Sequence, residues 1–485
     1  MIHSGYTSQR SPFVTILDEH QIQEIIQAAF LILERTGCKV SHPEALAMLK
    51  KAGAWIDGDL VRVKRHLVEK ALADTPKGFR LYTRDGEPAI DLWGRKSYFG
   101  TSTASPQNLD MRTNLIRPTT LQDIAEGARL ADKLENIDFV MPFGTAQDVP
   151  AHSAEIPEFL AVVENTAKPV FFCGYSANGV EKVLDMAAHL VGGKEVLSRK
   201  PFVVPYPEPI TPLHYPSEVV GRMMVCCDYG VPQIVATGPM LGMTGPVTVA
   251  GAVALGTAEA FFSILLAQLR APGSPCFLTC TVAGTSMRNG LAFAAHPEMS
   301  LALGAQAEIA RFLGLPTWGL SGATDSKTID AQAGAEAALS ALFQALAGVS
   351  LIHDAGYVRS GMACSPAMMV LTNEIVSWVK HVMKGMEVTA DTLALEIIDK
   401  VGPAGNFLAN KHTLKHFRAS VWEARLFCKD TDSDWTSQGA LNMEQKASQR
   451  AVELVCQPVD SPLAEKMLME LKKLAEIKMS EILHG

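Results

Sequence analysis

A chain of 485 residues, 48% hydrophobic and 19% charged, has enough apolar material for a large core, which excludes a disordered or fibrous protein. A formal net charge of -8, with no basic run or basic-aromatic stripe, excludes nonspecific nucleic-acid binding, which needs Lys and Arg to neutralise phosphates. Nine scattered cysteines, and a start (MIHSGYTSQRSPF) without a charged region followed by an apolar run, predict reduced thiols and a cytoplasmic setting.

In chain order, residues 1–95 are expected to form a separate helical and hairpin cap. Ile22, Ile25, Ile26, Phe30 and Leu33 recur at helical spacing within 18–36, and Gly37 stops the run. A second helix is predicted to 51, opened by Ser41 and Pro43. Short strands follow around Trp55, 60–63, 79–83 and 89–92, with turns at Asp57-Gly58 and Asp85-Gly86.

From 96 to 383, short apolar runs alternate with longer helical segments. The runs are 97–101, 139–143, 170–174, 202–207, 233–237, 276–280, 317–321 and 350–353. Continuous apolar runs read as buried parallel strands, and the intervening helices at 121–134, 152–166, 179–191, 215–229, 246–270, 297–313 and 329–347 read as crossovers. Eight such units predict an α/β fold, a (βα)8 TIM barrel. Residues 246–270 approach the length of a membrane span, but Glu259 sits at their centre, so a buried helix and no membrane association are expected. Residues 384–485 are expected to be a helical region packed on the barrel. Its predicted helices, with the one that closes the barrel, are 365–383, 389–400, 412–428 and 441–482, and 430–440 is a polar loop. That tail and the acidic charge are compatible with a homo-oligomer.

In a barrel, chemistry gathers at the C-terminal ends of the strands. The segment PYPEPITPL fixes Tyr206 and Glu208 on a proline-stiffened backbone; a binding site and a rigid surface turn are both compatible with it. GATDSK puts Asp325 at a strand end, where a helix cap is the competing role. His353 closes a very apolar strand, as a site residue or as a buried structural histidine. Asp354 follows it directly and on a regular strand would point to the opposite side. No CxxC, HExxH, GxxxxGK[ST] or GxSxG occurs, so neither a metal nor a nucleotide is expected on this chain. His412 and His416 share a helix face, but Lys411 and Lys415 flank them.

Five ordered segments carry a resemblance: RPTTLQDIAEGARLADKLENID (117–138), PEPITPL (207–213), GMTGPVTVAG (242–251), GLSGATDSKTIDAQAGAEAALSALFQALAGVSLIHDAG (319–356) and GPAGNFLANKHTL (402–414). Together they resemble the trimethylamine methyltransferase family over nearly the whole chain. The resemblance implies a (βα)8 barrel, a methylamine-type donor, and a corrinoid (cobalamin) protein as partner and methyl acceptor. The archaeal trimethylamine enzymes carry pyrrolysine in the barrel. This chain is written throughout in the twenty ordinary residues, so it resembles the non-pyrrolysine branch, whose members demethylate quaternary amines such as glycine betaine.

Chemistry makes the departure intelligible. A neutral tertiary amine would have to leave as an amide anion, whereas a quaternary ammonium leaves as a neutral amine and needs no activating adduct. The enzyme's task is then positioning and exclusion of water, and no acid, base or covalent nucleophile is identified. A trimethylammonium group calls for aromatic faces. Tyr98, Phe99, Phe143, Tyr175, Tyr206, Trp318 and Tyr357 lie at or near predicted strand ends, and Glu208 complements the charge. A substrate carboxylate would need donors such as Arg288 or His353. Three alternatives stay open: a different methylated amine such as proline betaine or carnitine, a zinc-activated methyl donor, and a non-catalytic binding protein for betaine-like solutes or a corrinoid.

Overall fold

The structure, a computed structural model, describes residues 10–484. Its centre is a set of eight parallel segments that pair from one to the next. Tyr98–Thr101 bridges to Phe139 through Gly100, and Val140 bridges to Val170. Val170–Phe172 pairs with Val203–Pro205. Pro205 and Pro207 then accept from the Ile234 and Ala236 amides, each at 3.1 Å, and Gln233 bridges to Cys276. Leu278–Thr279 pairs with Thr317–Leu320, which pairs with Leu351–Ala355, and that last segment pairs back onto Tyr98–Thr101. Every pairing is parallel, and the circuit ends where it began.

The side chains inside this circuit are large and apolar: Phe139, Met141, Phe171, Val204, Ile234, Phe277, Trp318 and Leu351. Trp318 is wholly buried, stacked on Phe171 at 5.5 Å and tilted against Phe139 at 5.7 Å. The hairpin of Arg80–Tyr82 and Pro88–Asp91 adds Leu81, Ile90 and Leu92 to the same cluster. It stops the N-terminal end of the circuit, where Tyr82 bonds the carbonyl of Pro201 and the Asp91 amide donates to the Tyr98 hydroxyl. The space left for a ligand therefore opens at the C-terminal end, beyond Trp318.

Helices surround the circuit: Leu121–Lys133, Glu155–Asn165, Ala177–Val191, Ser217–Tyr229, Val249–Arg270, Pro297–Leu313, Ala331–Ala347 and Pro366–Met383. Val249–Arg270 is the one helix among the described residues long and apolar enough to cross a membrane, and it is mostly buried in protein. Its outer face is covered by Glu19–Arg35 and Arg65–Asp74, which share its apolar cluster. Glu259, at its middle, is buried but satisfied: Oε1 accepts from the Leu213 amide at 2.6 Å and Oε2 from Thr211 Oγ1 at 2.9 Å.

Several local expectations shift. The second helix is Pro43–Lys51, and His42 rather than Ser41 caps it through Nδ1. Arg65–Asp74 is an unforeseen helix, as is Asp432–Ser437 inside the expected polar loop. Residues 389–400 divide into Ala390–Leu393 and Leu395–Val401, and 441–482 into Met443–Val455 and Glu465–His484, with Pro458 and Pro462 between. A four-stranded sheet of Gln107–Leu109, Ile116–Pro118, Tyr357–Val358 and Ala363–Cys364 stands beside the C-terminal end of the circuit, where no strand is expected from sequence.

Candidate active site

Trp318 forms the floor of the mouth. The His353 ring stacks on it at 4.4 Å, and Tyr206 leans against both, 5.5 Å from Trp318 and 6.0 Å from His353. Neither ring nitrogen of His353 has a hydrogen-bond partner, although the residue is buried. Asp354 departs from what a regular strand requires. Its φ is +90°, and the pairing with Tyr98–Thr101 slips between Ile352 and Ala355. The alternation of sides is broken, so Asp354 Oδ1 comes within 2.6 Å of His353 Nδ1, though not in line for a hydrogen bond. An L-residue held at positive φ stores strain of about 1–3 kcal/mol, which the surrounding packing must offset.

Glu208 follows Tyr206 in the proline-stiffened turn and faces Arg222, His353 and Tyr206; burial pushes its carboxyl above the usual range. The Glu208 side chain is nevertheless exposed, and Cys173 is half-buried. The Cys173 thiol is pushed far up by the same burial and by Glu208 and Glu158, so it stays protonated. Arg222 reaches in from Ser217–Tyr229, bonds the Gly174 carbonyl, and keeps its Nε unpartnered.

Behind this wall lie two more carboxyls on Glu155–Asn165. Glu158 accepts from the Ala146 amide at 2.8 Å and lies 3.5 Å from the Tyr175 hydroxyl; burial raises it to about 8. Glu155 is buried with no side chain hydrogen-bonded to it, and burial, opposed by nearby backbone amides and by Arg222, raises it to about 7. Gly179 makes room for it, since a Cβ there would fall 1.6 Å from Glu155 Oε1. Tyr175 is pushed upward as well, by burial and by Glu158.

Six of the residues named from sequence therefore lie at or beside the mouth: Tyr175, Tyr206, Glu208, Trp318, His353 and Tyr357. The Tyr357 hydroxyl is already engaged, donating to the Thr103 carbonyl and accepting from the Thr103 amide at 3.2 Å. The other five lie elsewhere. Tyr98 is at the N-terminal end of its strand, and with Phe99 it borders a cleft shared with Lys380 and Asp138. Phe143 packs behind the circuit against Gly127 and Gly356. Arg288 is exposed near the tip of the hairpin Gly284–Thr285 and Ala292–Phe293. Asp325 Oδ1 accepts from the Ala294 amide at 2.9 Å, tying that hairpin's end to the next loop. Sequence reasoning passed over Glu155, Glu158, Cys173 and Arg222. Only the ending of an apolar strand in Cys173-Gly174 hinted at any of them.

Comparison with known proteins agrees in extent. The family model described as trimethylamine methyltransferase (MTTB) matches residues 3–482. The glycine betaine methyltransferase of Desulfitobacterium hafniense (strain Y51) is 33% identical over 91% of this chain and 92% of its own length. The trimethylamine methyltransferase MttB of D. hafniense (strain DSM 10664 / DCB-2) is 29% identical over 98% and 96%. That of Methanosarcina thermophila is 30% identical over 96% and 98%. Among solved structures, the Methanosarcina barkeri monomethylamine methyltransferase (MtmB) superposes with a TM-score of 0.54 at 11% identity, covering 97% of this chain and 89% of that one.

Proposed function

Because the chain belongs to the trimethylamine methyltransferase family, we propose that it transfers a methyl group from a quaternary amine, glycine betaine foremost, to the cobalt of a corrinoid carried by a partner protein. The eight-segment circuit is read as a (βα)8 barrel whose C-terminal mouth holds the donor. The observation that carries the proposal is the composition of that mouth. It offers aromatic faces from Tyr206 and His353 above Trp318, one carboxyl from Glu208, and a thiol held protonated by burial.

That set suits an alkylammonium cation. Aromatic rings attract the ammonium by their quadrupoles, and Glu208 places a carboxyl beside them. His353 Nε2 and Arg222 Nε are polar atoms still lacking a contact, and Arg222 Nε, an N–H donor, fits a substrate carboxylate. A corrinoid supplies the strong nucleophile that attacks the methyl carbon. The C–N bond breaks, its electron pair stays on nitrogen, and a neutral tertiary amine such as dimethylglycine leaves. No proton moves, so the chain's residues only orient the C–N axis and keep water out. A partner docking on the loops that follow the fifth and sixth segments of the circuit would meet Met243, Val247, Met287 and Leu291, all exposed, with Met287 against Gly242. An exposed cluster of flexible apolar side chains is what a docking surface requires.

The purified protein, mixed with reduced cob(I)alamin and candidate amines, tests this by the change in corrinoid absorption. Glycine betaine is expected to give the methylated corrinoid and one equivalent of dimethylglycine. Demethylation of trimethylamine, with every quaternary amine left intact, would overturn the proposal.

A further inference from the structure

The segment after Pro366–Met383 is ordered without a core. No residue from 380 to 446 is buried, and Ala390–Leu393, Leu395–Val401, Lys411–Ser420 and Asp432–Ser437 have no buried side chain among them. Helices this short do not persist on backbone bonds alone. Where apolar burial is missing, small units are held by cross-links such as metal ions.

A cross-link has its parts here. His412 and His416, one turn apart on Lys411–Ser420, present their rings on one face with centroids 4.3 Å apart. Asp391, on Ala390–Leu393, meets them, and one ligand atom from each of the three lies within 4.8 Å of the others. The contacts joining the two helices end on Asp391. His416 Nε2 lies 3.1 Å from Oδ2 without hydrogen-bond geometry, Lys415 Nζ donates to Oδ2 at 2.6 Å, and His412 Nε2 lies 3.1 Å from the Asp391 carbonyl oxygen. From sequence alone the pair of histidines lacked a third ligand and had lysines beside it. The fold supplies the third ligand from 21 residues upstream of His412, and Lys415 takes the place of an outer donor to the ligating carboxylate.

We propose that Asp391, His412 and His416 bind one Zn2+ that staples Ala390–Leu393 to Lys411–Ser420. Two imidazoles and a carboxylate suit zinc, and the fourth tetrahedral position falls to water. The ion takes the place of the His412 contact with the Asp391 carbonyl and lies between two rings that otherwise face each other with nothing to share.

The full-length protein, stripped with a chelator, is titrated with Zn2+ and followed by hydrogen exchange, with Co2+ as a spectroscopic probe. One equivalent is expected to bind, to slow exchange across 386–421, and to give the visible bands of four-coordinate Co2+. His412→Gln with His416→Gln, and separately Asp391→Asn, are expected to weaken binding at least tenfold. Absence of a stoichiometric ion overturns the proposal. Unchanged exchange in 386–421 on loading also overturns it, whether or not the variants fold, as does undiminished binding in the double variant.

Discussion

Glu155→Gln isolates the effect of burying a carboxyl with no side-chain hydrogen bond. No side chain hydrogen-bonds to either oxygen of Glu155, and burial, opposed more weakly by nearby backbone amides and by Arg222, raises the group from 4.5 to about 7. A folded-state value above the unfolded one means that the contribution to stability is fully present below 4.5 and is lost as pH rises through 7. The complete loss is about 3 kcal/mol, at about 1.4 kcal/mol per tenfold, and about 2.5 kcal/mol of it falls between roughly pH 5 and pH 8. Glutamine mimics the neutral acid but adds an unmatched amide donor, which costs about 1 kcal/mol. The variant is therefore expected to be more stable than the parent at about pH 8, by about 2 kcal/mol, and no more stable at about pH 5. Urea midpoints at the two pH values measure the difference directly. A variant less stable than the parent at the higher pH would refute the reasoning, because it would mean that the charged form of Glu155 is stabilised in the fold.

Glu208→Gln removes the one carboxyl at the mouth that water reaches. It is expected to lower kcat/KM for a quaternary amine by about 10- to 100-fold, chiefly through KM. In the parent, affinity should rise with pH as the buried Glu208 loses its proton, and the variant should flatten that rise. Trp318→Ala empties the floor where Phe139, Phe171, Tyr206 and His353 meet and should cost about 3–5 kcal/mol by urea unfolding. Asp354→Gly relieves the positive φ; it should change stability by less than about 1 kcal/mol, the relief offsetting the lost side chain, and slow turnover by about tenfold through misplacing His353.

The alternation of apolar runs and helices was legible because each run is buried on both faces, so the pattern survives without knowledge of what packs against it. The mouth was legible only in part. Tyr206 and Glu208 stand out because four prolines frame them, and His353 because it closes an apolar strand. Glu155 and Glu158 give no such sign. They lie on a helix of ordinary composition and face inward only because Gly179 leaves space and the Ala146 amide needs an acceptor. Arg222 is hidden for the same reason, since a long side chain on an outer helix carries no mark of reaching Gly174. Tyr98 illustrates the reverse error in reading. An aromatic residue beside a strand looks the same in sequence at either end, and only the direction of the circuit separates the mouth from the stopper. The convergence of Asp354 on His353 depends on a slipped register, which periodicity cannot express.

The charge balance of the mouth bears on how a cation can be held without being held too well. Burial raises Glu155, Glu158 and Glu208 together, and around neutral pH Glu155 lies close to half protonation while Glu158 is mostly protonated. A site of three ionised carboxylates would stabilise the ammonium ground state more than a transition state in which the positive charge is leaving nitrogen, and would slow transfer. Raised carboxyls avoid this, because much of the negative charge is absent until a cation arrives. A trimethylammonium group in the mouth draws Glu208 toward its ionised form, as any nearby positive charge must, whereas Glu155 and Glu158, packed behind the wall, respond less. On the proposed function, recognition then depends on one inducible charge and on aromatic faces whose attraction weakens as the charge disperses. The loose cage that methyl transfer requires thus follows from the same desolvation that keeps Cys173 protonated.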